Sequence, residues 1–177
     1  MTTLPATISP TLIKQRKEAE RIIKRSVVVA VGCGLIPTPL VDAVAVTALE
    51  VKMIDELADA YGFPFPSRLA AAKALISMIG SIGPIYLASH SKSAFKAIPF
   101  AGQALSATIF STTNGIAVFA VGKIFQSHFE SGGTLLSRDN KLIKKMYQEN
   151  YQQAKRVVPK IVAAEKNKKS PSTTQSA

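Results

Sequence analysis

The chain holds few side chains capable of chemistry. It has two histidines, one cysteine and eleven carboxylates in 177 residues. His90 and His128 stand 38 residues apart, and neither has a second ligand at metal-binding spacing, so both read as structural or interfacial. Cys33 has no histidine or second cysteine near it and reads as a small apolar packing residue. A single thiol excludes an intrachain disulfide and fits a reducing compartment. No Ser/His/Asp set or carboxylate dyad assembles from the sequence. The stretch from Gly115 to Gly122-Lys123 superficially suggests a phosphate loop, but six residues separate its glycines and Ile124 follows the lysine. A phosphate loop has about four residues there and Ser or Thr after the lysine. No catalytic, cofactor or metal residue is therefore expected, and the chain reads as non-enzymatic.

One carboxylate stands out. Asp42 is alone in an apolar run, one turn after Pro39. It reads as a first-turn acid satisfying free amides of a helix; the alternative is an ion or proton contact in a membrane cavity. The other acids, Glu50, Asp55, Glu56 and Asp59, lie on an amphipathic stretch with Leu49, Met53, Ile54 and Leu57 on its apolar side. Glu50, Met53, Leu57 and Tyr61 are the candidate face for docking a partner.

Ser9-Pro10 supplies a cap and a first-turn proline for a charged helix through Arg25 that continues into the uncharged Ser26–Gly34. Pro37 and Pro39 interrupt it. A second helix follows from about Val41 to Ala60, ended by Tyr61-Gly62. Ser67 caps a third, apolar from Ala74 to Leu87, which Gly80 and Gly83-Pro84 should kink. A fourth runs from about Phe100 to Phe129, uncharged until Lys123, and Ser131-Gly132-Gly133 ends it. A basic fifth helix through about Val157, interrupted by Pro159, leads to a polar tail, 166–177, expected to be disordered. The fold class is all-α: a bundle of four or five kinked, Gly-rich helices. It divides as a basic amphipathic N-terminal helix (1–25) with a thin apolar stripe of Leu12, Ile13, Ile22 and Ile23, an apolar domain (26–137), a basic C-terminal helix (138–165) and the tail.

The net charge of +11 is unevenly placed. Residues 1–25 carry +4, residues 26–137 are neutral and residues 138–177 carry +7. Basic flanks around an apolar middle are common on the cytoplasmic side of membrane segments. A nucleic-acid reader carries its cations on the folded domain and often adds aromatics; Trp is absent here, so nucleic acid is an unlikely partner. Lys14, Arg16, Lys17, Arg21, Lys24, Arg25, Lys141, Lys144 and Lys145 are read as facing anionic lipid. No secretory leader is evident. A spanning helix needs roughly 20 apolar residues. Phe100–Gly122 meets that length and Ala74–Ser91 approaches it, whereas Ser26–Val46 contains two prolines and Asp42. Two crossings with both basic ends cytoplasmic satisfy the charge rule. Ala107, Ser111, Gly115 and Gly122 fall on one narrow helix face that permits close helix packing, in the chain or in a homo-oligomer. The alternative to a resident membrane protein is a soluble helical one that inserts conditionally or permeabilises a bilayer.

An ordered set of short motifs runs through the middle of the chain: Gly34-Leu-Ile-Pro37-Thr-Pro39-Leu-Val-Asp42, Met53 to Gly62, Ile98-Pro99-Phe-Ala-Gly102, Thr113-Asn-Gly115, Gly122-Lys123-Ile-Phe125 and His128 to Gly133. Over about Ser26–Leu136 the sequence resembles the uncharacterised bacterial family known as domain of unknown function 697. The resemblance implies a helical, membrane-associated domain that often follows an Era-like GTPase domain. This chain has no GTPase motifs, so any GTPase would be a separate partner.

Overall fold

A computed structural model describes residues 9–33, 39–65, 67–78, 103–133 and 140–169. The described residues form helices and turns, with no strand among them. In chain order the helices are α1 (Pro10–Cys33), α2 (Pro39–Tyr61), α3 (68–78), α4 (Gln103–Glu130) and α5 (Asn140–Lys169).

The boundaries follow local chemistry. Ser9 caps α1, its hydroxyl accepting from the Thr11 amide at 3.3 Å. Ser67 does the same for α3 through the Ala70 amide, also at 3.3 Å. The ends of α2 and α4 are paired glycine stops. Gly62 takes φ +78°, and the amides of Gly62 and Phe63 donate to the carbonyls of Asp59 and Ala58. Gly132 and Gly133 repeat the arrangement on Phe129 and His128. Positive φ is costly for any side chain with a Cβ, so glycine ends both helices.

Helix α4 is the axis. Ile116 through Val121, and Ile124 and Phe125, are buried against α1, α2 and α5. A helix that is apolar all round must be covered all round, by protein or by lipid. From Ile116 to Phe125 the chain's own helices cover it. Among the described residues no helix is long and apolar enough to cross a membrane. The crossing expected at Phe100–Gly122 is therefore not supported, and its described C-terminal half takes a central position in the bundle. The crossing expected at Ala74–Ser91 lies mostly outside the described residues.

The basic helices are part of the bundle. Ala19, Ile22, Ile23, Val27 and Ala30 of α1 enter the core, as do Ile143, Tyr147, Ala154 and Val158 of α5. These positions recur every three or four residues, so each basic helix is amphipathic and buries one stripe. Residues of α1 and α5 join those of α4 in one core. Pro159 does not end α5, which continues to Lys169. The proline is exposed, and the carbonyl left without its amide belongs to the exposed Lys155. That carbonyl is on the solvent-facing side, open to water, while Val158 on the inner face stays docked.

Candidate functional site

Two regions and a groove carry the polar character of the bundle. The first region is a clasp at the end of α1, α2 and α4. The Arg16 guanidinium donates twice to Glu130, Nε to Oε1 at 3.0 Å and Nη2 to Oε2 at 2.8 Å. The Tyr61 hydroxyl donates to Glu130 Oε1 at 2.8 Å, and the Gln126 amide donates to the same oxygen at 3.1 Å. Lys123 Nζ donates to Gln126 Oε1 at 2.8 Å, which fixes the orientation of that amide. Burial acts to raise the Glu130 pKa, but the bonds from Arg16, Tyr61 and Gln126 outweigh it and hold the carboxyl below its ordinary range. Tyr61 is pushed up by burial and by its bond to Glu130. Burial lowers Lys123 and His128. For His128 burial thus outweighs the C-terminal helix position that would favour a charged imidazole. Phe129 caps this end, with the rings of Tyr61, Phe63, Phe65 and Phe125 about 6 Å away.

The second region is the apolar middle of the bundle. Glu50 is 1% exposed and its Oε1 has no hydrogen-bond partner among the described residues. Burial pushes its pKa up to about 8, so the acid is neutral at pH 7. Met53, Leu57 and Tyr61 are buried on the same helix. The face expected to dock a partner is therefore corrected: α2 packs it against α1 and α4 of the same chain. The same spacing that makes a face sticky for a partner makes it core when the chain can cover it. Close packing here depends on two glycines. A Cβ at Gly122 would lie 2.9 Å from Ile23 Cγ1 and 3.1 Å from Met53 Sδ. At Gly115 it would lie 2.6 Å from Val31 Cγ2 and 3.1 Å from Val158 Cγ1. The side chains of Ala107, Ser111 and Asp42 lie outside the described residues; Asp42 itself falls in the first turn of α2.

A groove of about 570 Å³ runs between α1 and α5. Its cations are Arg21, Lys24, Arg25, Lys160 and Lys168, against one carboxylate, Glu165. Its apolar lining is Val28, Val29, Val157, Ile161 and Ala164. Arg21 pairs with Glu18, and Arg25 pairs with Glu56 of α2. Lys24, Lys160 and Lys168 have no ion pair among the described residues. Of the other cations read as lipid-facing, Lys14, Lys17 and Lys141 are exposed, Lys144 is half-buried, Lys145 pairs with Glu149 and Arg16 belongs to the clasp. Sequence reasoning did not single out Lys160, Lys168, Val29 or Ile161. The signal was present: Arg21, Lys24, Arg25 and Val28 stand at i, i+3, i+4 and i+7, and Val157, Lys160, Ile161 and Ala164 repeat that spacing. What the sequence lacked was the packing that places those two faces side by side.

Among the described residues no three of His, Cys, Asp and Glu come together to hold a metal. What the geometry defines is a helical bundle with a polar clasp at one end and a cationic, apolar-floored groove on its flank. The chain belongs to the family described as domain of unknown function (DUF697), whose model matches residues 7–156. It is also similar to magnetosome membrane protein 22 of Magnetospirillum gryphiswaldense, with 29% identity over 161 residues, covering 90% of this chain and 83% of that protein. No solved structure matches.

Proposed function

We propose that this chain is a non-enzymatic helical module that works at a membrane surface, with both basic ends on the cytoplasmic side. The observation that carries this reading is the way α1 and α5 are used. Each packs its apolar stripe on α4 and turns a strongly basic face outward. Anionic leaflets attract such faces by about 1 kcal/mol for each Lys or Arg near the surface. The similarity to a protein named for a magnetosome membrane supports the location. The test is co-sedimentation of the purified chain with vesicles of phosphatidylglycerol and phosphatidylcholine. Binding should need the anionic lipid and weaken steeply between low and high salt. Equal recovery with pure phosphatidylcholine, or none with either, rejects the reading.

A second reading is favoured by the uncharged stretch of α4 ahead of Lys123. If α1 and α5 splay onto lipid, that stretch is freed to enter the bilayer conditionally. This predicts leakage of a trapped dye from anionic vesicles, and binding without leakage rejects it. A separate GTPase, should one bind, would have to meet the outer surface of the bundle, because the inner face of α2 is occupied.

A further inference from the structure

We propose that the groove between α1 and α5 is a binding site for a single acidic phospholipid, with the phosphate on Lys24, Lys160 and Lys168 and an acyl chain along the apolar floor. The proposal rests on the membrane-surface reading and makes it specific. The composition of the groove selects the ligand. A free anion would be served by cations and hydrogen-bond donors alone, but the floor here is Val28, Val29, Val157 and Ile161. Nucleic acid would leave that floor facing sugars and bases, with no aromatic ring in the lining on which a base could stack. A neutral apolar ligand would leave the lysines without partners. An amphiphile with one anionic head satisfies both parts.

The size fits as well. About 570 Å³ lies within the range of small-molecule sites and has room for a headgroup and part of a chain, with the remainder left in the bilayer. The three lysines are available because their neighbours are not. Arg21 and Arg25 are held by Glu18 and Glu56, which leaves Lys24, Lys160 and Lys168 to meet an incoming phosphate. Val29 is 46% exposed, so apolar surface stands open to a ligand beside those charges. Flexible lysines are suited to a headgroup recognised as a point charge more than as a fixed fork.

The experiment is calorimetric titration of the full chain with dihexanoyl phosphatidylglycerol below its micelle concentration. Parallel titrations use dihexanoyl phosphatidylcholine, glycerol phosphate and a short poly-glutamate peptide. The short-chain acidic lipid should bind saturably and one to one, and the other three at least tenfold more weakly. K24Q/K160Q/K168Q should weaken that binding by about a hundredfold, at roughly fivefold per lysine. An equal-charge control, K14Q/K17Q/K141Q, should change it less than about threefold. V29N removes floor without touching charge and should also weaken it, which keeps the test open if the triple variant fails to fold. Equal losses in the two triples would overturn the proposal, as would glycerol phosphate or the peptide binding as well as the lipid. Anionic vesicles bound without any monomeric lipid binding would remove the groove and leave the surface reading standing. Monomeric lipid bound without vesicle binding would do the reverse.

Discussion

Glu50 and Glu130 belong to neighbouring helices and are treated in opposite ways. Glu130, at the end of α4, accepts from Arg16, Tyr61 and Gln126 and is held ionised. Glu50, in the middle of α2, has an oxygen with no partner among the described residues, and burial favours its protonated form. The end of the bundle is thus a polar clasp that fixes which helices meet, and the middle is a closely packed apolar seam. Buried polar groups are tolerated when fully bonded and costly when not. The contrast predicts that the middle is sensitive to volume, the end to the loss of a partner, and the two to pH with opposite signs.

The largest effect should come from adding volume to the seam. Gly122→Leu places its Cβ against Ile23 and Met53, with no room for the atoms beyond it. Overpacking of this kind should cost about 3 kcal/mol in urea unfolding. Gly32 is the control, because nothing lies within 4 Å of a Cβ there. Gly32→Ala should be neutral or stabilising by up to about 1 kcal/mol, since alanine is the better helix former. Equal losses at both glycines would show that the seam has no special shape.

The clasp comes next. Glu130→Ala leaves the Tyr61 hydroxyl and the Gln126 amide without their shared acceptor, in a site that is only partly open to water. The expected cost is about 2 kcal/mol. Glu130→Gln should recover part of it, because an amide oxygen still accepts from Tyr61. Alanine and glutamine variants of equal stability would mean that the bonds in the clasp contribute nothing.

The clasp and the seam were not equally legible in the sequence. Caps and stops were readable because they are local: Ser9-Pro10, Ser67, Tyr61-Gly62 and Gly132-Gly133 act within one turn of their own helix. The glycines of α4 were readable as a packing face from their spacing. The clasp was not, since Arg16 and Glu130 are 114 residues apart and only the meeting of α1 with α4 joins them. The same gap misplaced the face of α2. Its amphipathic pattern is real, but a pattern names a buried side without saying whether the chain or a partner buries it. The apolar stripe of the first helix was legible through Ile22 and Ile23, but its docking on α4 was not, because only the packing brings the two helices together.

Glu50 carries the pH prediction. Its native pKa of about 8 lies above the ordinary 4.5, so the native state keeps a proton that the unfolded chain releases between those values. The stability linked to that proton is full below pH 4.5 and is lost as the pH rises toward 8, at up to roughly 1 kcal/mol per pH unit. Glu130 has the reverse sign, because its carboxyl is lowered and its contribution is lost on acidification. Stability should therefore peak near pH 5 and fall on both sides. Glu50→Leu should flatten the alkaline side, so that its stability relative to the parent rises by about 3 kcal/mol between pH 5 and pH 8. Parallel pH profiles for the variant and the parent would mean that Glu50 is not a buried neutral acid.

The smallest effect expected is the coupling between Arg16 and Glu130, despite its two-bond geometry. Arg16 is 45% exposed and Glu130 is 20% exposed, so water competes with the pair and salt screens it. Tyr61 and Gln126 keep the carboxylate bonded when the guanidinium is removed. A double-mutant cycle with Arg16→Met and Glu130→Gln should give a coupling well below the cost of Glu130→Ala, and molar salt should reduce it further. A coupling as large as the Glu130→Ala loss would show that the ion pair holds the clasp together. In that case α1 would be held to the end of α4 by charge and would loosen as salt rises. A small coupling assigns that attachment to the apolar stripe of α1, leaving the outer cations of the helix available to an anionic surface without loss of the fold.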